Sequence, residues 1–494
     1  MKNTKLVHFT LFCLSIAMAS CSSYAQKPAP EGYHFKFKVN GVKDTVAYLT
    51  NYFGEKLYYK DTAQVDKNGF FEFKDTNNLK GGKYAVVLPG PKYFEIVVNE
   101  YAIDMETDTA DFIAKMKVNK SKENKVYYDY VNYLNEMKAK ATPIREEIQA
   151  LEEGDKKREE LIEQLKEIDK TVKDRQKEIV EEQSDLLIAK IIKMSFDVVI
   201  PEAPKNEDGS IDSTFGYFYF KNHYFDNIDL KDERLVNDPI FHTKLKYYFE
   251  KMILQIPDSI NKATDNLLAQ IPDNSDMYKY VANWVINTYN KSKIMGMDAV
   301  FVHLARNYYL NGKAFWATEE DKEKIKEAAD KIEPILLGKK APYLSLADTN
   351  GKFYKLYDIN APYTVLYFWD SGCGHCKKET PKLKDLYNEK LKKEGIVVYA
   401  VGTELENEDW KKYIKENQLP FINVSDSPDM NSSPEKYLDR TTVESLNFRF
   451  KYDIFSTPKV FLLDKDKKII AKGLGVEQLG EVIEQELERA KRAK

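Results

Sequence analysis

The sequence predicts a multidomain chain with an N-terminal β-sandwich, a central α-helical domain and a C-terminal α/β domain. Three observations carry this reading. The 494 residues exceed what one hydrophobic core usually supports. The apolar pattern passes from strict alternation to a helical period, and then to strands and helices in turn. Hydrophobic residues at 43% and charged residues at 31% leave enough apolar surface for packed cores and argue against extended disorder. With 75 basic residues against 79 acidic ones and a net charge of -4, the chain has no electrostatic footprint for nucleic acid, which is excluded as a partner.

Residues 1–25 read as an export signal: Lys2 and Lys5 precede an apolar run from Leu6 to Met18, and small residues follow. The run is too short to span a bilayer. Two ways of processing stay open. Met18-Ala19-Ser20-Cys21 resembles a bacterial lipobox, which would end the signal at residue 20 and place a lipid anchor on Cys21. Ser23-Tyr24-Ala25 before Gln26 resembles an ordinary signal-peptidase site, which would release a soluble periplasmic protein.

Residues 26–120 are expected to form the sandwich. Tyr33, Phe35, Phe37 and Val39 alternate, and Asn68-Gly69 predicts a hairpin turn before Phe71 and Phe73. Residues 121–337 are expected to be helical. Leu161, Leu165, Ile168 and Val172 recur at helical spacing within a highly charged segment, and Leu186 to Met194 continues the pattern. Gly154 interrupts the heptads between Arg145 and Glu182, so a helical hairpin packed on its own chain is favoured over a dimerising coiled coil. Beyond the Pro201–Gly209 loop, Tyr217, Tyr219, Tyr224 and Phe225 suggest packed helices.

Residues 338–494 alternate between strands and helices. A hairpin around Asn350-Gly351 precedes a buried strand, Val365 to Trp369, and then an amphipathic helix bearing Leu383, Leu386, Tyr387 and Leu391. Strands Ile396–Val401, Phe421–Val424, Lys459–Leu463 and Ile469–Leu474 follow, with helices near Trp410–Ile414 and Val476–Arg489.

The chemistry is concentrated in cysteine. Cys13 leaves with the signal and Cys21 is removed or blocked by lipid, so Cys373 and Cys376 are the thiols of the mature chain. Trp369-Asp370-Ser371-Gly372-Cys373-Gly374-His375-Cys376 sets them at a helix start immediately after a buried strand. Free backbone N–H groups and the helix dipole favour negative charge there, which makes Cys373 the expected nucleophile. Cys376, one turn deeper, is placed to resolve the mixed disulfide.

Two structural alternatives explain the pair less well. A closed zinc site needs four ligands, yet there is no second cysteine pair and His34, His223, His242 and His303 are scattered, so no metal is expected. A purely structural disulfide across two residues would remove little chain entropy. His375 could stabilise the Cys373 thiolate when protonated. No cofactor is called for.

Val-Leu-Tyr-Phe-Trp, followed by Cys-Gly-His-Cys-Lys-Lys-Glu-Thr-Pro, resembles the periplasmic TlpA/ResA branch of thioredoxin-like proteins, and Gly338-Lys339-Lys340-Ala341-Pro342 is similar to the lead-in of that branch. The resemblance implies a thioredoxin-like fold for residues 338–494 with Trp369 as part of the motif. It makes Thr457-Pro458 a cis-proline loop that contacts substrate backbone and Pro381 the kink of the first active-site helix. Glu379 takes the place of an acidic residue able to exchange a proton with the resolving thiol. Tyr367, where thioredoxins bury an aspartate, and Gly372, where they usually carry tryptophan, depart from the pattern. The two N-terminal domains resemble modules fused to such domains in exported Bacteroidetes proteins.

The implied function is a periplasmic thiol-disulfide oxidoreductase. Its partners would be disulfide-containing exported proteins and a membrane thiol electron donor. Since more than half of the chain lies outside the redox domain, an envelope scaffold with a docking thioredoxin-like domain is the alternative. A peroxiredoxin fits less well, because the Pro and Thr that precede a lone peroxidatic cysteine are absent.

Overall fold

A computed structural model describes residues 32–90 and 92–492. The segment expected to be an export signal, with Cys21, lies outside the described residues.

Eight strands form the N-terminal region: β1 (Tyr33–Asn40), β2 (Thr45–Phe53), β3 (Lys56–Val65), β4 (Phe70–Asp75), β5 (Gly82–Leu88), β6 (Lys92–Val98), β7 (Ala102–Asp108) and β8 (Lys117–Lys120). They make two four-stranded sheets, ordered β4-β1-β7-β8 and β3-β2-β5-β6. Period-two alternation sends Phe35 and Phe37 of β1 and Phe71 and Phe73 of β4 inward, where they meet Phe94 and Ile96 of the other sheet. The turn at Asn68-Gly69 differs from its reading as a hairpin. It carries the chain out of β3 in one sheet into β4 in the other, because the inward rings of β4 are buried by pairing with β1.

The central region is helical, with α1 (Lys122–Gln149), α2 (Lys156–Glu182), α3 (Leu187–Met194), α4 (Phe215–Asn222), α5 (Pro239–Tyr247), α6 (Pro257–Leu268), α7 (Asp276–Asn290), α8 (Asp298–Leu304) and α9 (Glu319–Ile332). Ser121 caps α1 and Asp155 caps α2, each accepting a backbone N–H that the first turn leaves free. The two helices pack as a hairpin on their own chain, and Gln176 donates to the Tyr130 hydroxyl at 2.7 Å. Leu161 is buried in it, whereas Leu165, Ile168 and Val172 are half-buried. Among the aromatics expected in packed helices, Tyr224 is buried but Tyr217 is exposed, because α4 buries no residue fully.

Charged groups seal this region to the sandwich. Lys83 of β5 is half-buried between Asp238 at 3.2 Å and Glu95 at 3.4 Å. Glu123 is fully buried, and its carboxylate accepts the N–H groups of Leu187 and Ile188 at the start of α3, where the helix dipole favours an anion.

The C-terminal region opens with a hairpin of β9 (Ser345–Ala347) and β10 (Phe353–Lys355). There follow β11 (Thr364–Trp369), α10 (Gly374–Leu386), β12 (Val397–Gly402), α11 (Glu408–Asn417) and β13 (Ile422–Val424). Three short helices come next, α12 (Pro428–Ser432), α13 (Val443–Leu446) and α14 (Phe448–Lys451), and then β14 (Lys459–Leu463), β15 (Ile469–Lys472) and α15 (Val476–Arg492). The sheet order is β13-β12-β11-β14-β15, with β11, β12 and β13 parallel and β14 and β15 antiparallel.

All six residues of β11 are buried, and they alternate between the two faces of the sheet. Val365, Tyr367 and Trp369 pack against Leu383 of α10, Trp410 of α11 and Leu479 of α15. Leu366 and Phe368 pack on the opposite face with Met430, Leu446, Phe448 and Tyr452. The stretch from Ser425 to Phe450, rich in Ser, Asp and Pro, is therefore a structural layer of this fold.

Two contacts join the C-terminal region to the helices. Gly338 and Ala341 donate backbone N–H groups to Ile469 and Lys467, so the connecting segment pairs along β15. The Lys472 ammonium reaches the Asp298 carboxylate and the Ile335 carbonyl. Among the described residues, no helix is long and apolar enough to cross a membrane.

Candidate active site

The site forms where the buried strand β11 gives way to the exposed start of α10. Cys373 is the N-cap of α10, and its sulfur accepts the N–H of Cys376 at 3.4 Å. The Cys373 thiol also donates to the Thr457 carbonyl at 3.3 Å, and the Thr457–Pro458 peptide bond is cis. Cys373 is half-buried and Cys376 fully buried, both as free thiols.

Their environments separate the two thiols. Burial opposes ionisation of Cys373, but the Cys376 N–H, contacts with Thr457 and the Cys376 thiol, and the His375 N–H outweigh it and hold the thiol below its ordinary value. Burial pushes Cys376 up to about 12, even though the Asp370 N–H points at its sulfur from 3.5 Å. One thiol is thus ready to ionise and the other is held neutral.

Trp369 is buried beneath the pair, with its ring centroid 5.3 Å from that of Tyr413. Tyr367 hydrogen-bonds to Thr380 at 2.9 Å, both side chains fully buried. A neutral hydroxyl thus stands at the position read from the sequence as a departure from the buried aspartate of thioredoxins. Pro381 lies inside α10.

His375 is exposed and, with Glu379, lines a groove of about 500 Å³ beside the cysteine pair. Pro458, Lys459 and Val476 close its other walls, and Phe455 stands at its mouth, 98% exposed. Glu379 accepts the Val476 N–H at 3.1 Å and pairs with Lys382 at 3.1 Å. The Val476 hydrogen bond, together with Lys382 and nearby His375, outweighs partial burial and holds this carboxyl below its ordinary range. It is a carboxylate at neutral pH and a weak base.

Three residues that sequence reasoning did not single out also meet here. Glu404, just beyond β12, accepts the Ser371 N–H on Oε1, while its Oε2 is buried without a partner. Burial pushes this carboxyl above its ordinary value despite that hydrogen bond. Arg449 of α14 donates to the Thr403 and Glu404 carbonyls and forks onto the buried Asp426 at 2.6 and 2.9 Å. Among the described residues, no group of three or more His, Cys, Asp or Glu side chains is arranged to hold a metal ion.

A nucleophilic thiol at a helix start, a buried second thiol and a facing cis-proline loop on a five-stranded mixed sheet define a thioredoxin-like thiol-disulfide oxidoreductase domain. Comparison with known proteins agrees. Residues 337–472 match the AhpC/TSA family, and residues 155–333 match a domain of unknown function, DUF5106. The thiol-disulfide oxidoreductase ResA of Bacillus cereus is 29% identical over 161 residues, 33% of this chain and 82% of that protein. A thioredoxin-like protein of Haemophilus influenzae is 30% identical over 135 residues, 26% of this chain and 67% of that protein. A solved domain of a possible thiol-disulfide isomerase from Cytophaga hutchinsonii is 42% identical, covering 33% of this chain and 99% of that domain, with a TM-score of 0.27. In its C-terminal third, the chain belongs to the thioredoxin-like family, and its relationship to the ResA oxidoreductases is a distant one.

Proposed function

We propose that the protein is an exported thiol-disulfide oxidoreductase of the TlpA/ResA type, which reduces or exchanges disulfides of other exported proteins in the periplasm. The observation that carries this reading is the inequality of the two thiols: Cys373 is accessible and held below its ordinary value, whereas Cys376 is buried and held above it. The Cys373 thiolate attacks one sulfur of a client disulfide and expels the other as a thiolate, which takes up a proton. Cys376 then loses its proton and attacks Cys373, releasing the second client sulfur and closing the Cys373–Cys376 disulfide. Two electrons pass to the client, and a membrane thiol donor restores the dithiol.

The remaining site residues act around that exchange. Thr457 and Pro458 hold client backbone opposite Cys373, Trp369 and Pro381 shape the floor and helix beneath the pair, and His375 and Glu379 set the charge along the groove. The export signal before Gln26, with or without a lipid on Cys21, places the protein in the envelope. Residues 26–120, 121–337 and 338–494 serve as its three domains.

Thiol trapping in the envelope tests this reading. Cys376→Ser accumulates mixed disulfides with exported proteins through Cys373, and Cys373→Ser forms none. If the Cys373→Ser strain instead keeps the full cellular role, the envelope scaffold is the correct description.

A further inference from the structure

The turn between β11 and α10 is held from the side by elements that the redox exchange itself does not use. β11 and β12 run parallel, with Trp369 opposite Gly402, so the residues just past their ends meet in space. There the Ser371 N–H donates to Glu404 Oε1, and the adjacent Asp370 N–H points at the Cys376 sulfur from 3.5 Å. Glu404 does not touch either sulfur. Its own backbone is gripped in turn, because Arg449 binds the carbonyls of Thr403 and Glu404 while forking onto Asp426, whose side chain is 1% exposed. Asn407 donates to the Asp426 carbonyl at 2.6 Å and closes the brace.

Glu404 accepts the N–H of the buried Ser371 and so fixes the plane of the Asp370–Ser371 peptide. The Asp370 N–H belongs to the preceding Trp369–Asp370 peptide, whose carbonyl accepts the Thr403 N–H at 2.9 Å, and the two peptides share the Asp370 Cα, so holding the second limits how far the first can turn. As Cys376 gives up its proton to resolve a mixed disulfide, negative charge grows on a buried sulfur, and this N–H is a backbone donor directed at it. We propose that Glu404, braced by the Arg449–Asp426 pair, is a positioning residue for the resolving step, acting on Cys376 through the Ser371 and Asp370 amides. This rests on the oxidoreductase reading and adds to it a division of labour: the brace serves the second thiol and not the first.

The two steps can be read apart with an aromatic disulfide, 5,5′-dithiobis(2-nitrobenzoate), mixed with the reduced full-length protein. Attack by Cys373 releases one coloured thiolate and leaves the other aryl group in a mixed disulfide. Attack by Cys376 then releases the second thiolate and leaves the protein disulfide, with two protons lost overall. The Cys373→Ser, Cys376→Ser double variant serves as the blank for any other thiol. Glu404→Ala is expected to slow the second phase about tenfold or more, the size of a buried backbone donor left without its partner, with the first phase unchanged. Glu404→Gln, which keeps an oxygen for the Ser371 N–H, recovers most of that loss. Arg449→Ala slows the second phase in the same direction, and combining it with Glu404→Ala adds little.

An unchanged second phase in Glu404→Ala overturns the proposal, as does equal slowing of both phases. Glu404→Gln as slow as Glu404→Ala also overturns it, since charge rather than the acceptor would then matter. Absence of both phases in the unsubstituted protein would instead defeat the oxidoreductase reading itself.

Discussion

The Cys373 sulfur accepts the backbone N–H of Cys376 at 3.4 Å, so the residue that carries the buried thiol helps to ionise the accessible one. Alkylation should reflect this. With iodoacetamide at neutral pH, the reduced C-terminal pair takes up one label, on Cys373, and the rate rises with a midpoint below the ordinary thiol value of 9.0. Two labels on the pair at equal rates would contradict the asymmetry described for the site.

The same asymmetry has a consequence for stability. Cys376 is favoured in its neutral form, so its folded-state value lies above the unfolded one. The stability it contributes is full below pH 9.0 and is lost as pH rises toward about 12. Urea titrations of the reduced protein between these limits should show a falling midpoint, and Cys376→Ser should flatten that fall. An equal slope in the variant would assign the alkaline loss to other groups.

Glu379 works in the opposite sense. Its value is held below the ordinary 4.5 by the Val476 N–H and Lys382, so its contribution is present above that value and lost as pH falls through the depressed one. Glu379→Gln should cost about 1 kcal/mol near neutrality, typical of one charged hydrogen bond in a partly solvated place. It should also weaken the acid limb of the stability profile. Circular dichroism melts from pH 3 to pH 7 measure both effects, and an unchanged acid limb would remove Glu379 from its role at the start of α15.

Tyr367 and Thr380 make a buried pair that depends on both hydroxyls. Tyr367→Phe leaves the Thr380 hydroxyl buried beneath Cys376 without this partner, at an expected cost of about 1–3 kcal/mol. Because the neutral pair sits under the sulfur, the loss is one of stability. Chemical denaturation should reveal it with the alkylation rate of Cys373 intact, and a slowed alkylation would tie Tyr367 to the chemistry instead.

The cysteine pair, the buried strand before it and the Thr457-Pro458 loop were legible in the sequence because each is local: a CxxC spacing, a run of apolar residues, a Thr-Pro step before a strand. Glu404 was not, since its role depends on register. Only the pairing of Trp369 with Gly402 brings the residue two past one strand end against the residue two past the other. A rule was available, that functional residues gather beyond the carboxyl ends of parallel strands, and applying it to Thr403-Glu404 would have flagged the acid. Arg449 and Asp426 lie in the Ser-, Asp- and Pro-rich stretch before β14, whose composition hides that Met430, Leu446 and Phe448 inside it are the core of a layer. The turn at Asn68-Gly69 failed in the same way, because turn chemistry specifies a reversal of the chain and leaves open which sheet receives the next strand.

The last prediction concerns how the redox domain is carried. Lys472 lies at the end of β15 with its side chain 12% exposed, and its ammonium meets the Asp298 carboxylate and the Ile335 carbonyl of the helical region. Its backbone N–H also points at the Met295 sulfur from 3.4 Å. Lys472→Met keeps the apolar stem and removes the charge, leaving an acid and a carbonyl without their donor. A fully buried pair broken in this way costs about 3–5 kcal/mol, and partial exposure here brings the expectation to about 2 kcal/mol. The Gly338 and Ala341 hydrogen bonds to β15 remain, so the region should loosen at its hinge without detaching. Hydrogen exchange at Leu336 to Lys340 should therefore quicken by about thirtyfold while β11 and β12 stay protected, since local opening follows local free energy. Unchanged exchange at those amides would mean that the edge pairing along β15 alone holds the redox domain to the helices.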